Sequence, residues 1–137
     1  MRLLKGSSER TAYFNQPYAQ SVLNAIPMLK GSPWFGLAKA NEYAPRPRGT
    51  VGEVLFPVPV YVDRVWTRKS DGAIAVDCKV NIAGHPLQGQ TFTIWHCGKV
   101  LVNGGEWRPE GVVMGFVGGQ YGFSGAGTGA HMAITLK

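Results

Sequence analysis

The fold is decided by the stretch Ile74-Ala75-Val76-Asp77-Cys78-Lys79-Val80-Asn81-Ile82. Ile74 and every second residue after it are apolar, whereas the residues between them are mostly polar. A period of two is the pattern of a β-strand that buries one face. Cys78 lies on the apolar face of this strand, so we interpret it as a small buried side chain.

A second strand is predicted downstream, over Gln90–Cys97. The segment Gly84–Gly89 contains glycine and proline and predicts a turn, so the two strands should form an antiparallel hairpin. Alternation sorts the side chains of the second strand onto two faces, one with Phe92, Ile94 and His96 and the other with Thr93, Trp95 and Cys97. A disulfide between Cys78 and Cys97 depends on the register of the hairpin and stays open.

The rest of the chain predicts an all-β domain with tight turns. The 137 residues include 19 Gly and 9 Pro, 45% are apolar and only 16% are charged. Further strands are predicted over Val58–Asp63, Lys99–Val102, Val112–Val117 and Ala130–Leu136. The glycine-rich segment Gly118–Gly129 is expected to be a surface loop, and Glu106 and Glu110 to be turn or surface carboxylates.

The first part of the chain, residues 1–48, is expected to be an N-terminal arm, with the β domain over residues 49–137. One short helix is predicted in the arm, because Asn15 can cap it and Pro17 suits its first turn. Tyr18, Val22 and Ile26 recur at four-residue spacing on one face of that helix, and Pro27 limits its length.

The net charge is +6, and the excess lies in the first half of the chain. Residues 1–69 hold ten Lys/Arg and four Asp/Glu, whereas residues 70–137 hold four of each. The basic residues stand singly, which argues against specific nucleic-acid recognition and favours a solvated or assembly surface. No apolar run is long enough for a transmembrane segment, and no signal peptide is expected.

Four segments carry a family resemblance. They are Ile94-Trp95-His96-Cys97, Lys99–Trp107, Gly111–Gly118 and Thr128-Gly129-Ala130-His131-Met132-Ala133. In order and spacing they resemble the core of the lysostaphin-type zinc endopeptidases, which are peptidoglycan hydrolases. The resemblance implies a small antiparallel β-sheet or open barrel of that kind.

The resemblance also implies that the metal site is lost. In the family, zinc is held by a His and an Asp from an upstream H-x-x-x-D motif and by the second His of an H-x-H motif. The second H-x-H position is Ala133 here, and His96 and His131 occupy the two non-ligand histidine positions. Leu37 and Asn41 fall at the upstream ligand positions, and no histidine precedes His85. A catalytic zinc needs three protein ligands, so we expect no metal, no cofactor and no enzymatic activity.

A rearranged metal site is the alternative within the same fold. Its candidate ligands are His85, His96, His131, Cys78, Cys97 and Asp77. Of these, His96 and His131 should lie close together if the fold is of the lysostaphin type. An active hydrolase with such a site is the least favoured function.

The favoured function is that of a structural or assembly subunit, and we expect a phage tail or other virion component. Such a protein would be found in the virion, or in the host cytoplasm before assembly, and would contact neighbouring subunits as a homo-oligomer. The second function is a module that binds peptidoglycan without cutting it. Trp107, Tyr121 and Phe123 are the candidate glycan or partner contacts, and Trp95 is a further aromatic side chain that could serve. The structural alternative is core packing for Trp95 and a cover over a hairpin tip for Trp107.

Overall fold

A computed structural model describes residues 4–5, 8–13, 40–45, 49–56, 58–85, 88–127 and 129–136. This part of the chain confirms the all-β prediction, because it contains two antiparallel sheets and no helix of seven or more residues. Its strands are β1 (Leu4–Lys5), β2 (Ser8–Tyr13), β3 (Ala40–Pro45), β4 (Gly52–Leu55), β5 (Val60–Thr67), β6 (Ile74–Val80), β7 (Thr91–Trp95), β8 (Lys99–Val100), β9 (Glu106–Arg108), β10 (Val113–Val117) and β11 (Met132–Leu136). A search of the same residues for a helix able to cross a bilayer found none.

The strands form a large sheet and a small sheet. The large sheet has seven strands in the order β2-β3-β11-β7-β6-β5-β9, and the small sheet has four in the order β1-β4-β10-β8. One cluster of buried side chains draws on both sheets, so the core lies between them. Its largest fully buried members are Phe56, Phe92, Ile94, Met114 and Met132.

The predicted hairpin is confirmed by the pairing of β6 with β7. Cys78 lies opposite Phe92, and Ala75 lies opposite Trp95. Val76, Cys78 and Val80 face the core as their alternation predicts, since each is at most 1% exposed. Ala75, Asp77 and Lys79 therefore share the outward face of the large sheet with Thr93 and Trp95.

The alternation predicted for Gln90–Cys97 is wrong at its end, because His96 has a left-handed backbone conformation. Its φ is +77°, a region that costs a non-glycine residue roughly 1–2 kcal/mol. The turn in the backbone sends Cys97 into the core with Phe92 and Ile94 instead of outward with Trp95. Cys78 and Cys97 are both free thiols, so the structure contains no disulfide between them.

Segments assigned to the arm take part in both sheets. β1 pairs with β4 in the small sheet, and β2 pairs with β3 in the large one. β3 in turn pairs with β11, with Ala133 opposite Glu42 and Ile134 opposite Asn41. The helix predicted between Asn15 and Pro27 lies outside the described residues.

Candidate functional site

The candidate site is built around His96 and His131. β7 and β11 are antiparallel neighbours in which Trp95 lies opposite Ala133, so the residues just beyond these positions meet at one end of the sheet. The two imidazole ring centroids are 4.6 Å apart, with the planes inclined at 42°. The structure thus brings together the two histidines that the sequence singled out.

The His96 ring is held by the glycine-rich segment. Its Nδ1 lies 2.8 Å from the carbonyl oxygen of Ser124, and because a carbonyl only accepts, Nδ1 carries the proton. The Ser124 hydroxyl donates to the carbonyl of Cys97 at 2.7 Å and accepts from the amide of Ile74 at 2.9 Å. These bonds fix the segment against β6 and hold His96 in its left-handed conformation.

The His131 ring is held in a similar way but lies nearer the solvent. Its Nδ1 donates to the carbonyl of Gly129 at 2.8 Å, and the ring of Phe123 lies 5.3 Å away. Gly127 must be glycine here, because a Cβ atom on it would collide with Cε1 of the imidazole. In both histidines Nδ1 is the donor, and in a neutral ring Nε2 is then the hydrogen-bond acceptor.

The environment lowers the pKa of His96. Burial is the main cause, since it disfavours the charged ring, and His131 and Arg68 lower the pKa further. The Ser124 carbonyl and Asp71 act in the opposite direction but do not outweigh burial. His96 is therefore a neutral ring at pH 7, able to accept a proton or a hydrogen bond through Nε2.

Asp71 anchors the glycine-rich segment beside this pair. Arg68 forms an ion pair with Asp71 at 2.6 Å, and the same carboxylate accepts hydrogen bonds from the amides of Ala73 and Ala126. The Arg68 guanidinium is the main reason why the pKa of Asp71 lies well below its usual range. A carboxylate held in this way is a structural acceptor and a poor general base.

Two indole rings cover the outward face of the sheet next to the histidines. Trp95 and Trp66 are in edge-to-face contact at 5.5 Å, and the guanidinium of Arg68 lies 4.6 Å from the Trp95 ring centroid. The indole N–H of Trp95 donates to the hydroxyl of Thr135 at 2.9 Å. Ala133, opposite Trp95 in register, is only 4% exposed. Its methyl group contributes no donor to this face.

Asp77 is the best-satisfied polar side chain of the same face. Its carboxylate accepts hydrogen bonds from Nε of Arg64 at 2.8 Å, Nε1 of Trp66 at 2.9 Å and the hydroxyl of Thr93 at 2.7 Å. The residue is 7% exposed. With its oxygens committed to three donors, Asp77 is a structural acceptor of this face.

The six candidate ligands of a rearranged metal site do not come together. Cys78 and Cys97 lie in the core, where burial raises the pKa of both thiols, that of Cys97 to about 12. His85 lies in the turn between β6 and β7, away from the histidine pair. In the described residues no group of three or more His, Cys, Asp or Glu side chains is placed to hold a metal ion.

The three candidate aromatic contacts lie in three different places. Tyr121 stacks on Phe116, with centroids 4.6 Å apart and planes at 14°, and Phe123 lies against His131. Trp107 is 61% exposed and contacts Tyr61, with ring centroids 4.5 Å apart. Sequence reasoning missed Tyr61, although its place between inward-facing valines already indicates an outward side chain.

Sequence reasoning also missed the supporting residues Arg68, Asp71 and Ser124. Their partners are long-range or depend on a turn, so no local pattern identifies them.

Comparisons of the chain with models of protein families, with characterised proteins and with solved structures found no match in any of the three.

Proposed function

We propose that this chain is a non-catalytic structural subunit, in which a degenerate peptidoglycan-endopeptidase scaffold serves in the assembly of a larger particle such as a phage tail. The observation that carries the proposal is the buried Ala133 on the outward face of the sheet, next to the histidine pair. A methyl group at this position cannot bind a metal, which leaves the two histidines without the partners that hydrolysis would need.

The chemistry of the neighbouring groups supports the same proposal. The Ser124 hydroxyl both donates and accepts hydrogen bonds to the backbone, and the Cys97 thiol is buried with a raised pKa. Neither group is an activated nucleophile, because activation needs an adjacent base or a lowered pKa. The carboxylates of Asp71 and Asp77 are engaged by arginine side chains.

The same contacts explain what the retained histidines do in a structural protein. His96 links the end of β7 to the glycine-rich segment, and Asp71 links that segment to the turn between β5 and β6. Together they fix the outer end of the sheet as a rigid surface. A rigid, mostly neutral surface is suited to packing against another subunit, where an ordered loop loses little entropy on association.

Catalysis is tested with purified peptidoglycan and the full chain. We expect no release of soluble fragments in the presence or absence of added zinc, and none from the variant Ala133→His, because the upstream ligands are still absent. Ala75→His on the neighbouring strand is the matched control for placing an imidazole on this face. Zinc-dependent release of fragments by the unmodified chain would contradict the proposal.

Assembly is tested by native mass spectrometry and light scattering of the full chain. We expect a homo-oligomer of fixed stoichiometry, or a stable complex with a structural protein produced together with it. A monomer at every concentration up to about 0.1 mM, with no complex formed during co-production with the proteins of its particle, would overturn the assembly role.

A further inference from the structure

The outward face at the β9 edge carries an exposed aromatic pair. Tyr61 on β5 lies directly opposite Trp107 on β9, and the two rings are inclined at 57°. Trp107 is 61% exposed, more than the exposed apolar side chains of Leu101 and Val51. Contact with Tyr61 limits the orientations of the indole, so the ring is held in place while most of its surface faces solvent.

A charged pair borders these rings. Lys79 on β6 lies opposite Tyr61 on its other side, and its Nζ is 3.8 Å from Oδ1 of Asp63. Lys79, Tyr61 and Trp107 thus form one row across three neighbouring strands, about 10 Å long at the usual strand spacing. The pair supplies hydrogen-bond donors and acceptors next to the rings without adding net charge.

We propose that this row, Lys79–Tyr61–Trp107 with Asp63, binds a neutral saccharide. The C–H face of a sugar ring packs on an exposed indole, and the row is long enough for a short run of sugar rings. Sugar hydroxyls both donate and accept hydrogen bonds. The Lys79 ammonium donates and the Asp63 carboxylate accepts, so the pair can satisfy both roles where one charged group alone could not. The balanced charge of the row disfavours a polyanion.

The edge itself disfavours the other obvious occupant, a second copy added strand to strand. β9 has only three residues, and Glu106 and Arg108 lie opposite the buried Val62 and Val60, so their side chains point inward. These two side chains form an ion pair at 2.7 Å. Short edge strands with inward-pointing charges resist pairing with another strand. The surface that remains available is the outward face of the aromatic rings.

The experiment is isothermal titration of the full chain with three neutral probes: cellohexaose, the hexamer of N-acetylglucosamine, and maltohexaose. We expect at least one probe to bind, and Trp107→Ala to weaken that binding about tenfold or more, the loss of roughly one aromatic contact. Phe116→Ala is the matched control, because it removes an aromatic ring from β10 of the small sheet. It should leave the affinity unchanged.

Two further variants separate contact from folding. Trp107→Phe keeps a ring on the strand and should retain part of the affinity, and Lys79→Met should weaken binding without changing the melting temperature. Failure of all three probes to bind at about 10 mM, a concentration high enough to detect a millimolar Kd, would overturn the saccharide site. So would equal losses in Trp107→Ala and Phe116→Ala, or a change of oligomeric mass in Trp107→Ala. The first two outcomes leave the assembly proposal undecided, whereas a change of mass would place Trp107 in an interface between subunits.

Discussion

The histidine end and the Trp107 edge of the large sheet differ in how their side chains are used. At the histidine end, Nδ1 of both rings, the Ser124 hydroxyl and the Asp71 carboxylate all have partners within the protein. At the edge, Trp107 contacts one ring and otherwise faces solvent. Residues that resemble a catalytic site are thus engaged by the fold itself, whereas most of the Trp107 indole is left exposed.

The largest effect is expected from Trp95, which belongs to the histidine end. Trp95→Ala should lower the free energy of unfolding by about 3 kcal/mol, because the indole packs on Trp66, lies under Arg68 and donates to Thr135. Urea denaturation measures the change. Trp95→Phe, which keeps an aromatic ring but loses the hydrogen bond, should lose about half as much. A loss below about 1 kcal/mol in Trp95→Ala would show that this face is loosely packed.

Asp77 is expected to give the next largest effect. Asp77→Asn replaces one carboxylate oxygen with an amide NH2 group that cannot accept a hydrogen bond. It therefore removes the acceptor either for Arg64 and Trp66, which share Oδ2, or for Thr93, which donates to Oδ1. We expect a loss of about 2 kcal/mol in urea denaturation. Asp63→Asn is the matched control, because Asp63 makes only a 3.8 Å ion pair with the exposed Lys79 and should cost less than about 0.5 kcal/mol. Equal losses in Asp77→Asn and Asp63→Asn would mean that the hydrogen bonds to Asp77 add no more stability than one exposed ion pair.

The parts of the fold that could be predicted are those with local patterns. Alternation in Ile74–Ile82 predicts β6 and the inward direction of Cys78, and the Gly84–Gly89 turn predicts its pairing with β7. The pairing of β3 with β11 joins residues that are far apart in the sequence, so no local pattern contains it. Sequence reasoning misses β9 for a different reason: three residues are too few for alternation to be recognised, so Glu106 is expected to be a turn or surface carboxylate.

The site was predictable only in part. The resemblance pointed to His96 and His131, and the structure places them in contact. The left-handed conformation of His96 depends on Ser124, which is distant in sequence. A prediction from alternation alone therefore places Cys97 on the wrong face of the sheet. The contact between Tyr61 and Trp107 could not be predicted from sequence, because it depends on the register in which β5 pairs with β9.

The pH dependence of stability gives a smaller effect at the histidine end. Because the pKa of His96 is lowered in the folded state, the unfolded chain takes up a proton first as the pH falls through about 6.5. Stability from this group is therefore complete at neutral pH and declines below about 6.5, until the folded ring also titrates. The slope from one proton cannot exceed about 1.4 kcal/mol per pH unit.

Urea denaturation at a series of pH values measures this decline. In His96→Gln the decline should become shallower, whereas Gln120→Ala, which changes an exposed side chain that does not ionise, should keep the original profile. The groups around His96 that contribute to its titration are His131, Arg68 and Asp71, so Arg68→Met should also alter the profile. An unchanged profile in His96→Gln would show that other groups control the acid side of the stability curve.

The smallest effect on stability is expected from Trp107, and it sharpens the comparison most. Trp107→Ala should change the free energy of unfolding by less than about 0.5 kcal/mol, because a side chain that is 61% exposed buries little area on folding. Urea denaturation of Trp107→Ala beside Trp95→Ala makes the test with the same substitution at two outward-facing positions. A large loss at Trp107 would mean that the indole holds β9 on Tyr61. An exposed ring that stability does not require is free to be used for binding, and this is the physical basis for separating the two regions.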